Sequence, residues 1–433
     1  MISKDVIKLL ISEYQREIIN VRMIERDYEI ECGLNYVFVG LRRAGKSYLM
    51  FRQVQRLLQK GHTIDEILYF NFEDDRLGVL DVADLDLIKI CYEEMYDHKP
   101  LFFLDEIQII PSWEKFARRL ANQKYPVCIT GSNAKMLSSE IATTLGGRYM
   151  IRQVFPFSFR EFLLASGIDC NGKNAFFRFH SEINKAFEGY FRFGGLPEVV
   201  KVENKREWLS NLYQKIFFGD LISRYQIRND FALRVLIRKL AENVKQPSSF
   251  NRLANVVSAS GKKISTDTMI DYLGYLKESW LIFSIENIEA KLAEKEANKK
   301  YYFIDNGILN LFLIDPQTSL LENLVAIQLY RLYGNEVYFY HNGVEVDFYV
   351  PEIQLAIQVC YDLSDIETRK REIRALLQLA KRLEINKMLI ITKDEEQVIL
   401  ENGSEIVVVP IWKWLIDIDK CEERSNLWKQ QSI

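Results

Sequence analysis

Residues 37–50 read VFVGLRRAGKSYLM, and Gly40, Gly45, Lys46 and Ser47 satisfy the spacing G-x-x-x-x-G-K-[ST]. A short apolar stretch, Asn35–Val39, precedes the glycines, and SYLMFRQVQRLL follows them with helical character. The pattern demands a strand, a tight loop and a helix in that order. Its glycines let main-chain N–H groups wrap oxygen atoms closely at a helix start. In such a cradle Gly40, Leu41, Arg42, Arg43, Ala44, Gly45, Lys46, Ser47 and Tyr48 surround a triphosphate. Lys46 reaches the β- and γ-phosphates and Ser47 ligates Mg2+. ATP and Mg2+ are therefore the expected ligands.

LFFLDE, residues 101–106, is an apolar strand that ends in two carboxylates. A strand beside the loop places Asp105 at the metal, which it holds through the water shell. It places Glu106 where a general base would polarise an attacking water. Thr130-Gly-Ser132-Asn133 closes the next apolar stretch, and either Ser132 or Asn133 is suited to bond the γ-phosphate or orient that water. Gly146-Gly147-Arg148 offers a cation on a flexible pair, for use in cis or on a neighbouring subunit.

Strands alternate with helices up to about residue 158, and each strand is apolar on both faces, as in a parallel sheet covered on both sides. From 159 to about 240 the chain reads as helices, broken at Gly194-Gly195-Leu-Pro197. Two further helical segments follow around Ala259-Ser-Gly-Lys-Lys263. Leu281–Ile285 and Tyr301–Ile304 then read as strands flanking a polar hairpin, which is a winged-helix outline. Residues 305–433 return to mixed α/β. The formal net charge of -3 excludes a global basic field, so a nucleic-acid surface has to be local. Six scattered cysteines without a C-x-x-C pair, among them Cys32 and Cys421, fit a reducing cytoplasm. No run reaches transmembrane length, so no membrane partner is expected.

GLRRAGKS, LFFLDE, ITGSN, the GGR segment and PFSFREF together resemble the AAA+ ATPases of the archaeal-ATPase-like group. FGGLPEVV and GVEVDF–IQVC resemble the C-terminal part found in that group. The resemblance implies an α/β fold: a P-loop (AAA+-type) parallel-sheet ATPase core, a helical segment, a winged helix and a PD-(D/E)XK nuclease-like α/β domain. The corresponding divisions are 1–158, 159–229, 230–304 and 305–433. It also implies a core strand order 5-1-4-3-2, which makes Glu73, Asp74 and Asp75 structural or surface carboxylates rather than metal ligands.

In the winged-helix part, Ser265 or Thr266 can cap the second helix. Arg252, Lys262, Lys263 and Lys277 face Asp267, Asp271 and Glu278, a weak field for a duplex. DNA is one candidate partner; another protein or a second copy of the chain is another. In the nuclease-like part Glu322 lies on a helix, and Glu345 and Asp347 share one strand face. Asp347 matches the first acid of the nuclease pattern. Gln358 stands where the second acid belongs and Cys360 where the lysine belongs, with Lys370 or Glu372 as migrated substitutes. That departure disfavours cleavage and favours a fold retained for binding or packing.

Overall fold

The computed structural model describes residues 2–418, apart from 27, 29, 32, 134, 135, 137, 138, 171–178 and 262. Cys32, Lys262 and Cys421 lie outside the described residues. The chain forms two compact units, Met1–Phe155 with Glu278–Trp280, and Pro156–Lys277 with Leu281–Ile433.

The first unit holds five strands: β1 (Asn35–Val39), β2 (Ile67–Asn71), β3 (Leu101–Asp105), β4 (Val127–Gly131) and β5 (Tyr149–Gln153). Their order is β2-β3-β4-β1-β5, all parallel, as the resemblance implies. β4 is buried along its whole length, and β1, β2 and β3 each expose only one end residue in part. That is why they read as unbroken apolar runs rather than alternating ones. β5 escapes the sequence reading because it is an edge strand whose Met150 and Ile151 face outward. The N-terminal helix, Lys4–Asn20, is capped by the Ser3 hydroxyl and buries Ile7, Leu10, Ile11, Tyr14 and Ile18. The Tyr14 hydroxyl donates to Asp74 at 2.8 Å, which gives that carboxylate a structural task.

The second unit carries a nine-stranded mixed sheet in the order β13-β14-β12-β11-β10-β9-β7-β8-β6. In chain order these are Ser248–Ser249, Ile282–Asn287, Asn298–Phe303, Tyr338–His341, Glu345–Val350, Leu355–Val359, Lys387–Thr392, Gln397–Glu401 and Ser404–Pro410 for β6 to β14. β7 and β8 pair antiparallel, as expected of a wing. The segment between them forms a helix, Leu292–Ala297, in place of the expected polar hairpin. Its sequence, LAEKEA, is made of good helix formers. β7 also pairs in parallel with β9, Glu286 opposite Tyr338 and Asn287 opposite Phe339. The strand pair read as a wing therefore continues into the sheet read as nuclease-like.

Two glycine motifs interlock around Asp305. Its Oδ2 accepts from the Gly195 N–H at 2.8 Å, and its Oδ1 from the N–H groups of Gly307 at 2.8 Å and Ile308 at 3.2 Å. A Cβ on Gly194 would fall 2.2 Å from the Asp305 carboxylate, and one on Gly307 would fall 2.2 Å from the Phe193 carbonyl oxygen. FGGLP and FIDNG thus need glycine for close approach. Burial pushes the Asp305 carboxyl up to about 6, against the lowering effect of the three N–H donors. A carboxyl raised in the fold stabilises it below its unfolded value, and that contribution is lost as pH rises through the folded value. The gap in urea stability between wild type and Asp305→Asn should therefore shrink by about 2 kcal/mol from pH 4 to 7. A gap that stays constant would remove ionisation from the energetics of this joint.

Candidate nucleotide site

The parallel register sets Val39 beside Gly131 and Leu104 beside Ile129, so the loops leaving β1, β3 and β4 converge at one edge of the sheet. Gly40 sits at φ 153°, and a Cβ there would fall 2.2 Å from the Val154 carbonyl oxygen. Gly45 is left-handed at φ 95° and starts the helix Lys46–Gln59. The loop is thus closed against the strand edge where a side chain would not fit, and the N–H groups of the first helical turn face the space above β1.

Lys46 is buried, and its Nζ donates to the carbonyl oxygens of Gly40 and Leu41, each at 3.2 Å. The same ammonium lies 3.4 Å from Glu106 Oε1. Glu106 has a left-handed main chain, φ 54°, and its N–H donates to Thr130 Oγ1 at 2.9 Å. Its Oε2 accepts from Gln108 Nε2 at 2.5 Å and from the Ser132 N–H at 3.2 Å. Burial alone would push the Glu106 carboxyl up, but Lys46, Gln108, Arg42 and Ser132 outweigh it and hold it below its ordinary value.

Asp105, likewise buried, accepts from the Tyr69 hydroxyl at 2.6 Å and from the Thr130 hydroxyl. Burial and the neighbouring Glu106 charge raise its carboxyl, while bonds from Ser47, Thr130 and Tyr69 oppose the rise. The two adjacent carboxyls are therefore pushed apart by their surroundings, Asp105 upward and Glu106 downward.

The residues fit a triphosphate with a hydrated divalent cation. A glycine cradle is closed by a carbonyl, the Ser47 hydroxyl reaches Asp105, and Lys46 stands at the loop. Hard oxygen ligands few in number suit Mg2+, which keeps water and takes phosphate oxygens. Gln108 Oε1 is a further buried acceptor without a hydrogen-bond partner.

Of the two polar candidates after β4, Ser132 joins Glu106 through its main chain, and its hydroxyl lies 3.4 Å from Gln108 Nε2. Asn133 is buried beside it, and its carbonyl accepts from the Met136 N–H at 3.2 Å. Arg148 does not join the cluster. It precedes β5 at the opposite end of the sheet, where its carbonyl accepts from Asn35 and its guanidinium donates to the Gly146 carbonyl at 3.2 Å. The length of β1 separates it from its own loop, which removes the cis role for Arg148. Arg42 bonds Glu73 at 2.8 Å and so ties the loop to the chain after β2. Arg43 and Tyr48 are exposed.

Two further residues belong to the neighbourhood. Gln108, in the short turn Ile107–Ile109, holds Glu106; its only signal in the sequence is its place two residues after that carboxylate. Arg26 is buried and donates to the Ala44 carbonyl at 2.9 Å and the Phe155 carbonyl at 2.8 Å, bracing the loop from beneath. It sits in a segment without periodicity, and no pattern marks it.

Residues 35–163 match the family described as AAA domain, and residues 184–318 match a domain of unknown function, DUF8612. An uncharacterized protein of Methanocaldococcus jannaschii is 34% identical over 412 residues, covering 91% of each chain. The chain belongs to that protein's family. A second member-like relative, an uncharacterized protein of Haemophilus influenzae, is 29% identical over 388 residues, 87% of this chain and 93% of its own. Among solved structures, the chain is similar to the Walker-type ATPase of Pyrococcus abyssi, at 14% identity, 72% and 96% coverage and a TM-score of 0.38. It is also similar to Cdc6p from Pyrobaculum aerophilum, at 11% identity, 75% and 93% coverage and a TM-score of 0.25. The AAA match encloses the glycine loop, both carboxylates and the segment after β4, so the candidate nucleotide site lies within it.

Proposed function

We propose that the protein hydrolyses ATP to ADP and phosphate with Mg2+, and that the cycle switches the conformation of the second unit. The observation that carries this reading is the convergence of Lys46, Glu106, Asp105 and Ser47 on one buried edge of the sheet. Gly40 to Tyr48 would wrap the phosphates, and Ser47 and Asp105 would hold the metal, which would supply charge neutralisation. Glu106 takes the proton of the attacking water. Ser132 or Asn133 would bond the γ-phosphate or orient that water.

The Lys46–Glu106 pair gives the cycle a resting state. A phosphate that draws the ammonium away leaves Glu106 ionised and held by Gln108 Nε2 and the Ser132 N–H. Binding therefore frees the base at the moment its substrate arrives. The test is phosphate release from ATP by the purified chain, expected with Mg2+ and absent with a chelator. A rate insensitive to the chelator would sink the metal assignment.

In this reading the second unit comprises the helical segment, the winged helix and a non-cleaving nuclease-like fold. Its partner is another protein or a second copy, to which Arg148 is offered in trans. DNA is less favoured. The outer face of the helix Thr266–Glu278 exposes Asp267, Ile270 and Asp271, while Lys277 is drawn inward, 5.6 Å over the Tyr301 ring. Burial and Lys299 push the Lys277 ammonium down to about 8. A cytoplasmic setting fits the described cysteines, Cys91, Cys128, Cys170 and Cys360, which are buried thiols. No helix among the described residues is long and apolar enough to cross a membrane.

A further inference from the structure

The acids singled out in the nuclease-like part do come together, but around a residue from outside that part. Lys300, on β8, is fully buried, and its Nζ lies 2.8 Å from Glu345 Oε1, 3.4 Å from Glu322 Oε1 and 3.4 Å from Asp347 Oδ1. An ammonium has three N–H donors, and here three carboxylates surround it. Neighbouring donors also engage two of these acids. Tyr302 OH donates to Glu322 at 2.8 Å, and the Val359 N–H donates to Asp347 Oδ2 at 2.9 Å.

The groups expected at the other nuclease positions are turned to different tasks. The Gln358 carbonyl accepts from the Asp347 N–H at 2.9 Å, and its amide donates to Glu372 at 2.7 Å and to the Glu345 carbonyl at 3.0 Å. The Cys360 thiol donates to the Asp362 carbonyl at 3.0 Å. Lys370 is exposed and bonds Glu367 at 3.2 Å. Of the two migrated substitutes, Glu372 therefore reaches the neighbourhood and Lys370 does not.

We propose that Lys300 is the resident cation of this acidic site, standing where a divalent metal would otherwise sit and keeping the site metal-free. Oxygen ligands approach Mg2+ or Ca2+ at about 2.0–2.6 Å, whereas the three carboxylates stand off at hydrogen-bond distance from a nitrogen. Glu322 is buried and Asp347 largely so, while Glu345 is exposed; the acids drawn out of water require a counter-charge, and a lysine on a covalent tether supplies one that no chelator removes. The same contacts fasten β8 to β10 and to the helix Gln317–Tyr333, so the lock joins the wing strands to the nuclease-like sheet. None of these residues belongs to the nucleotide site, and the inference stands apart from the ATPase reading.

The test is Mn2+ binding to the full chain without nucleotide, followed by electron paramagnetic resonance. Wild type should bind no Mn2+ that Asp347→Asn abolishes. Lys300→Met, which keeps most of the stem and loses the charge, and Lys300→Ala, which also opens space, should each gain about one equivalent. That gain should vanish when Asp347→Asn is added. Mn2+ should also raise the melting temperature of the Lys300 variants and leave that of wild type unchanged. Folded Lys300 variants that bind no more Mn2+ than wild type would overturn the proposal. Since these variants can fail to fold, the wild-type arm decides independently: Mn2+ bound by wild type and lost in Asp347→Asn overturns the proposal, and its absence supports it.

Discussion

Lys46→Ala should lose ATP hydrolysis by a factor of at least about 10³, equivalent to about 4 kcal/mol of transition-state stabilisation. The ammonium is buried and already bonded to the Gly40 and Leu41 carbonyl oxygens and paired with Glu106, so it is held at the loop before phosphate arrives. Charge-assisted hydrogen bonds to a phosphate are about twice as strong as neutral ones, and alanine replaces them with nothing. A second consequence separates this variant from a mere loss of binding. Glu106 loses its first charge partner while remaining buried, so its carboxyl should move up from its depressed position. Breaking one side of a buried pair costs about 3–5 kcal/mol unless the remaining group neutralises. Lys46→Ala should therefore melt lower than wild type without nucleotide, with the deficit shrinking at acid pH. Phosphate release at the wild-type rate would refute the assignment of this loop.

Glu106→Gln should bind ATP with little change and turn it over about 10²–10⁴ times more slowly. The amide has nearly the shape of the carboxylate and leaves the N–H bond to Thr130 intact. Its oxygen can still accept from Gln108 or Ser132, but it cannot take a proton from water. Nucleotide affinity and turnover should thus separate, and a variant that loses both equally would assign Glu106 to binding. In the nucleotide-free protein the depressed carboxyl keeps the base ionised through the neutral range, so kcat/KM should not fall until pH drops below the ordinary carboxylate value. The trapped complex of this variant is also the means of capturing the partner, because it prolongs the bound state.

The parts of the site legible in the sequence are those whose chemistry is local. Gly40, Gly45, Lys46 and Ser47 act within eight consecutive positions, and their glycine spacing reflects backbone geometry that few other residues tolerate. Asp105 and Glu106 were legible because two adjacent carboxylates closing an apolar strand are too costly there without partners or a metal to meet them. Gln108 and Arg26 were not legible. Each is a single polar residue whose role depends on a partner's position, Glu106 for one and the Ala44 and Phe155 carbonyls for the other. The choice between cis and trans for Arg148 was not legible because a flexible glycine pair gives no direction. Its side of the sheet follows from the register of β5 on β1, where Asn35 lies opposite Tyr149.

The same division runs through the second unit. The chain order of strands and helices and the outline of the acidic strand Glu345–Val350 arise from contiguous residues, whereas the need for glycine near Asp305 comes from segments about 110 positions apart. Lys300 looks like a surface charge in its own neighbourhood, NKKYYF, next to Lys299. Its burial depends on β8 lying within the same sheet as β10 and on acids 22 and 47 positions away. A sequence read in short windows records what backbone sterics and hydrophobic periodicity impose. The sign and purpose of a buried charge are settled by the carboxylates that strand pairing brings to it, since only they offset the cost of taking that charge out of water.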